Sequence, residues 1–216
     1  MGEPQRLIVG ISGASGVVYG VKMLQALRET GVETHLVMTK SAEVTLAYEL
    51  PGTKVADVQA LADVVHPVGD IAAAISSGSF RTQGMIVAPC SVRSLSEIAH
   101  GTTGNLLTRA ADVVLKERRR LVLMLRETPL HLGHLKTMTL VTEMGAIVMP
   151  PVPAFYQQPE TIEDIVAQTV GRALDLFGFD IGLVKRWREG EPAKGQPRTG
   201  QGPAKGADAT ARREGT

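Results

Sequence analysis

The chain holds a single cysteine, Cys90, among 216 residues. That excludes an intramolecular disulfide and a CxxC metal pair, and it fits a reducing compartment. Acids and bases nearly cancel, 22 Asp and Glu against 23 Lys and Arg, so no global field recommends nucleic acid or an anionic membrane as partner. The basic run Lys116, Arg118, Arg119, Arg120 is local. No apolar stretch approaches the ~20 residues of a membrane span. The first residues lack the basic start, apolar centre and cleavage site of a signal peptide, and Arg6 stands where a myristoylation motif wants Ser or Thr. The expectation is a soluble, cytoplasmic protein. Aromatics are scarce, with one Trp, three Tyr and four Phe. For Tyr156 and Trp187, packing and stacking on a ligand both stay open.

What is present begins with "VGISGASGVVYG", Val9 to Gly20. Leu7 to Ile11 is a short apolar run ended by Gly and Ser, which reads as a buried strand. Val17, Val21, Leu24 and Leu27 then recur at helical spacing, and Gly31 sits where a left-handed C-terminal cap belongs. A strand, a Gly-rich turn and a helix start in this order aim unpaired N–H groups and a positive dipole end at one spot, which suits an anion. The spacing Gly10, Gly13, Gly16 is not the G-x-G-x-x-G dinucleotide fingerprint, and no Lys follows as in a P-loop. An anion cradle and a turn that needs Gly for steric reasons alone are both open readings.

Four further apolar runs read as strands: Glu33 to Thr39, Gly84 to Pro89, Leu121 to Leu125 and Ala146 to Pro150. Between and after them, helices are expected at Ser41 to Leu50, Ala56 to Ala62, Ser94 to Ala99, Leu106 to Arg118, Leu132 to Met144 and Ile162 to Leu176. The last carries a capping-box pattern, Thr161 to Asp164. Continuous apolar strands alternating with helices predict a doubly wound, mostly parallel α/β sheet with helices on both faces. Residues 1–187 form one expected domain. Residues 188–216 shift to Gly, Pro, Lys, Arg, Glu, Gln, Ala and Thr, too polar to repay ordering, and are expected to be a disordered tail.

In such sheets ligands bind beyond the carboxyl ends of the strands. There the sequence offers Ser12 to Ser15, Thr39, Cys90 to Ser94, Arg126 and Glu127, and the Pro-rich "PPVPAFYQQP". Hydroxyls, helix-start N–H groups and an Arg suit a phosphorylated cofactor. Arg109, Lys116, Arg126 and Arg172 are candidates to converge on phosphate, although a solvated helix face or a favourable helix C-terminus explains such residues as well. Glu49 and Glu127 are available for proton transfer or are surface acids. Cys90 is a nucleophile or a small core residue. His131 and His134, three apart, are metal-compatible but lack a third partner nearby.

Taken together, "GISGASG", "SSGSFRTQGMIVAPCS", "RAADVVLKERR", "RETPLHLGHL" and "PPVPAFYQQP" resemble the UbiX/Pad1 family of flavin prenyltransferases, from about Leu7 to Trp187. The resemblance implies a flavodoxin-like or Rossmann-like fold, FMN binding, no metal, and a homododecamer with sites at subunit interfaces. It implies transfer of a dimethylallyl group from dimethylallyl phosphate to N5 and C6 of reduced FMN, the product serving a UbiD-type decarboxylase. By the same resemblance Gly13, Ala14, Ser15, Thr39, the Ser91, Val92, Arg93, Ser94 turn and Arg126 hold FMN. Lys116, Tyr156 and Arg172 hold the prenyl phosphate, with Arg109 and Glu127 completing the site. Ser15, Glu49, Glu127 and Lys116 are the implied catalytic groups, and Trp187 packs over the site from another subunit. Val92 and Arg93 depart mildly from the family pattern, which often has a different apolar residue and Lys. Two rival readings are direct decarboxylation of aromatic hydroxy acids and a non-catalytic FMN-binding accessory subunit.

Overall fold

The computed structural model describes residues 5–187. The chain divides into two units, Met1–Lys185 and Arg186–Thr216; of the second, Arg186 and Trp187 are described, and the expected tail lies outside the described residues. The first unit is an all-parallel sheet of β1 (Arg6–Ile11), β2 (Glu33–Met38), β3 (Val64–His66), β4 (Gly84–Cys90), β5 (Arg120–Leu125) and β6 (Ile147–Val148). The helices are α1 (Val17–Leu27), α2 (Lys40–Glu49), α3 (Val55–Gln59), α4 (Val92–Ala99), α5 (Leu106–Lys116), α6 (Leu132–Glu143) and α7 (Ile162–Asp175).

Strand order is β3-β2-β1-β4-β5-β6. The five expected strands alone would run in a flavodoxin-like order, and the short edge strand β3 extends this to the Rossmann-like one. Either way the order reverses between β1 and β4, where Leu7 pairs with Gly84 and Gly10 with Val87. That reversal opens a crevice at the carboxyl ends.

Alternation along the strands splits the core in two. Leu7, Val9, Ile11, Ile86, Val122 and Met124 face α1 and α7. Ile8, Met85, Val87, Leu121 and Leu123 face α4, α5 and α6. All seven residues of β4 are buried, as a central strand covered on both faces requires.

Several expected boundaries shift. α1 ends at Leu27 with Arg28 as its cap, and Gly31 takes its left-handed conformation (φ 70°) in the turn that follows. α5 ends at Lys116, because Arg118 adopts φ 57° and turns the chain into β5. Thr39 caps α2 instead of ending β2. The expected box at Thr161 and Asp164 is formed, with Thr161 Oγ1 accepting from the Asp164 N–H at 3.1 Å.

Candidate active site

The carboxyl ends of three neighbouring strands are tied together by main-chain and serine contacts. Ser12, buried just beyond β1, donates its hydroxyl to the Pro89 carbonyl at 2.8 Å and accepts from the Ser91 N–H at 2.8 Å. The Arg126 N–H donates to the Cys90 carbonyl at 3.0 Å, fixing the end of β5 beside β4. Beyond these ties lies an open cavity of ≈ 420 Å³. Gly13, Ala14 and Ser15 line it from the loop after β1, Ser41 from α2, Ser91, Val92 and Arg93 from the start of α4, and Arg126, Glu127 and Thr128 from the loop after β5.

Close approach explains the small residues of the first loop. A Cβ added at Gly13 would lie 2.3 Å from both Cβ and Oγ of Ser41, so the loop rests directly on the first turn of α2. Gly16 holds φ 102° at the N-cap of α1, a left-handed conformation that favours Gly.

The start of α1 already carries an anion. The Gly16 N–H donates to Oε1 and Oε2 of Glu49 at 3.0 and 2.8 Å, and the Val17 N–H donates to Oε2 at 2.9 Å. Glu49 stands at the far end of α2, so its carboxylate closes the helix start that the sequence offers as an anion cradle. The starts of α2 and α4 are different. Thr39 Oγ1 accepts from the Ala42 N–H at 3.1 Å and Ser91 Oγ from the Ser94 N–H at 3.2 Å. Each cap satisfies one donor and leaves others of its first turn for a ligand.

The cofactor candidates of the sequence divide accordingly. Gly13, Ala14, Ser15, Ser91, Val92, Arg93 and Arg126 reach the cavity together with Glu127. Ser94 is buried beneath it, its hydroxyl accepting from that of Ser91 at 3.1 Å. Arg93 points outward and pairs with Glu97 at 2.9 Å. Thr39 sits behind Ser41, their hydroxyl oxygens 3.0 Å apart. Ser41 and Thr128 line the cavity without having been expected. Their signal was position, one or two residues beyond Thr39 and Glu127.

Arg126 also faces Tyr19, whose hydroxyl is pushed above its ordinary value by burial while the guanidinium pulls the other way. Cys90 is fully buried, and burial pushes its thiol up to about 12. It is a core residue at the end of β4, since a nucleophile needs accessible thiolate. His131 is the N-cap of α6: Nδ1 accepts from the Gly133 N–H at 3.0 Å, and the ring stacks on His134 with centroids 3.6 Å apart. Among the described residues, no three His, Cys, Asp or Glu are placed to hold a metal ion.

The remaining candidates do not converge on this cavity within one chain. Arg109 and Lys116 lie on α5, on one face of the sheet, while Arg172 lies on α7, on the other. Arg109 pairs with Asp112 at 2.8 Å and Arg172 with Asp175 at 2.7 Å. Lys116, at the end of α5 that leads into β5, pairs with Glu117. Tyr156 is exposed in a single 3-10 turn, Phe155–Gln157. Trp187, in the second unit, is exposed. Of the four basic residues that the sequence offers for phosphate, Arg126 is the one that lines the cavity.

Comparison with known proteins gives this geometry a family. The Flavoprotein family model matches residues 1–174. Flavin prenyltransferase UbiX of Neisseria meningitidis serogroup B is 60% identical over 184 residues, covering 85% of this chain and 97% of the relative. UbiX of Escherichia coli K12 is 59% identical over 187 residues, with 85% and 98% covered. A crystal structure of AnUbiX in complex with FMN and dimethylallyl pyrophosphate superposes with TM-score 0.84 at 53% identity, covering 86% of this chain and 98% of that one. A dodecameric FMN-dependent UbiX-like decarboxylase from Escherichia coli O157:H7 gives TM-score 0.83 at 53% identity, with 86% and 100% covered. With sequence identity and fold agreeing over nearly the whole length of these relatives, the chain belongs to the flavoprotein family and, within it, to the UbiX/Pad1 flavin prenyltransferases.

Proposed function

We propose that this prenyl-transferring enzyme joins a dimethylallyl group from dimethylallyl phosphate to N5 and C6 of reduced FMN, making the prenylated flavin used by a UbiD-type decarboxylase. One observation carries the reading. Residues far apart in sequence, Gly13 to Ser15, Ser91 to Arg93 and Arg126, line one cavity in this chain, and they are among the residues that the family resemblance assigns to flavin. Small residues at Gly13 and Ala14 admit a flat ring close to the backbone. Because Glu49 fills the start of α1, like-charge repulsion directs the FMN phosphate to the Ser91 to Ser94 turn and Arg126.

When bound, reduced FMN supplies the nucleophilic positions to which the dimethylallyl group is joined. Lys116, Arg172, Arg109 and Tyr156 hold the prenyl phosphate and stabilise charge that develops as it leaves. Glu49, linked through Ser15, accepts the proton released at flavin C6, and Glu127 completes the polar wall. Trp187 shields the prenyl group from water in a neighbouring copy's site. Since one chain leaves its cations dispersed over both faces of the sheet, the complete site draws on several copies. A homododecamer is the assembly proposed, as in the relative from Escherichia coli O157:H7. The location is proposed to be cytoplasmic; among the described residues no helix is long and apolar enough to cross a membrane.

The test is anaerobic incubation with reduced FMN and dimethylallyl phosphate, or the diphosphate, followed by mass spectrometry of the released flavin. A mass gain of one dimethylallyl unit is expected with the monophosphate. Bound but unmodified FMN with both donors would favour the accessory-subunit reading.

A further inference from the structure

We infer that Gln168 and Gln157 are positioning residues for the prenyl donor: through the main chain of Lys185 they tie the turn that carries Tyr156 to the helix that carries Arg172. The inference rests on the proposed role of Tyr156 and Arg172 on the prenyl phosphate.

The turn needs such a tie. Phe155–Gln157 is one 3-10 turn, closed on itself by the Gln157 N–H on the Ala154 carbonyl and the Gln158 N–H on the Phe155 carbonyl, each at 3.0 Å. Phe155 and Tyr156 are exposed, so their rings do little to anchor it. Between the turn and α7 lies a cavity of ≈ 90 Å³, with Ala154, Gln157 and Pro159 on one side and Ile165 and Gln168 on the other. Atoms that face a gap lose the contacts that would hold them together.

Lys185 spans the gap with both of its backbone groups. Its N–H donates to Oε1 of Gln168 at 3.0 Å, and its carbonyl accepts from Nε2 of Gln157. A backbone N–H can only donate and a carbonyl can only accept, so the orientation of both side-chain amides is fixed. The segment leading to Lys185 rests directly on α7. A Cβ added at Gly171, three residues beyond Gln168, would lie 2.7 Å from Cγ2 of Val184 and 3.0 Å from Cβ of Leu183. Arg172 follows Gly171 on the same helix.

The other end of the Gln168 amide separates position from stability. Gln168 is 7% exposed, and its Nε2 is buried without a hydrogen-bond partner. An orphaned donor of this kind costs more than an apolar side chain of the same shape would. What Gln168 supplies in return is the acceptor for Lys185, and with it a defined spacing between Tyr156 and Arg172. A phosphate held by both groups binds more weakly when one of them must be ordered on binding.

The experiment measures single-turnover prenyl transfer against dimethylallyl phosphate concentration, with reduced FMN bound to the full chain. Gln168→Met keeps the volume and removes the acceptor. Gln157→Ala cuts the tie at its other end, in a surface turn whose loss does not threaten folding. Each variant is expected to raise the half-saturating donor concentration on the order of tenfold, with maximal rate and FMN affinity within about twofold of the parent. Tm should stay within about 4 °C. Neither change should raise half-saturation further in a Tyr156→Phe background, where the turn has no hydroxyl left to place. Half-saturation within about twofold of the parent for both variants, or an undiminished rise on top of Tyr156→Phe, would overturn the inference. Unchanged half-saturation for Tyr156→Phe itself would remove Tyr156 from the prenyl phosphate, and no transfer by the parent would sink the proposed function; the inference falls with either.

Discussion

At the carboxyl ends of the strands hydroxyls, helix-start N–H groups, Arg93, Arg126 and Glu127 gather around one cavity. At the amino ends stand charges that already have partners. Arg6 pairs with Glu33 at 3.0 Å, Lys116 pairs with Glu117, Arg119 donates to the Gly78 and Phe80 carbonyls at 2.7 Å each, and Arg120 donates to the Leu176 carbonyl. One end is built to receive a ligand, and the other to hold its own loops. Lys116 belongs to the second kind in a single chain, so a role on prenyl phosphate requires it to exchange Glu117 for a ligand presented by another copy. An exposed pair of this type is weak enough to exchange.

The largest effect should come from Lys116. Replacing it with Ala is expected to slow prenyl transfer on the order of 10²–10³-fold, the usual loss when one preorganised charge-stabilising group is removed, with FMN affinity within twofold. Single-turnover kinetics beside a flavin titration separate the two. A comparable loss of FMN affinity would break the division between the ends of the sheet. Gly13→Ala should do the reverse, weakening FMN binding roughly tenfold or more because its Cβ collides with Ser41.

Glu49→Gln sharpens the comparison at its boundary. The amide keeps one acceptor oxygen but turns an NH₂ group toward N–H donors, so transfer slows and the cap of α1 weakens by ~1 kcal/mol. That corresponds to a drop of about 2–4 °C in Tm for a chain of this size. A slowed reaction with an unchanged Tm would leave Glu49 a purely chemical role.

The smallest effect concerns pH and the far edge of the sheet. Burial, with His35 beside it, holds His66 below its ordinary value of 6.5 despite Asp70. The unfolded chain therefore binds this proton first, so the stabilisation is whole above pH 6.5 and drains as pH falls through the folded value. Burial raises Glu33, but hydrogen bonds from His35 and Arg6 outweigh it and lower the carboxyl; the Thr34 backbone lowers Asp63. Both add stability that is lost at still lower pH. Thermal melts from pH 8 to 5 should show Tm declining below pH 6.5, and His66→Asn should flatten that first part while FMN affinity stays unchanged.

Much of this was legible in the sequence because it is local. Long apolar strands such as "GMIVAPC" announce a two-sided sheet, and polar residues directly after them mark the cavity. β3 escaped notice because it is three residues at an edge, with partly exposed side chains and no apolar run. The partner of Glu49 was hidden by its distance in sequence, Gly16 standing 33 positions earlier. Ser41 was hidden because it stands in the first turn of α2, two residues past the cap Thr39. The scattering of Arg109, Lys116 and Arg172 depends on which face each helix covers, which residue types alone do not encode.

The most direct test of a cavity from one chain and cations from another is complementation. Ser15→Ala and Lys116→Ala variants, each impaired alone, are dissociated, mixed in equal amounts and reassembled, and prenyl transfer is measured. Shared sites predict recovery to roughly a quarter of parental activity, because random assembly restores both groups at one site in four. A mixture no more active than the two variants apart would contradict the account, since it would place both groups in one chain's own site.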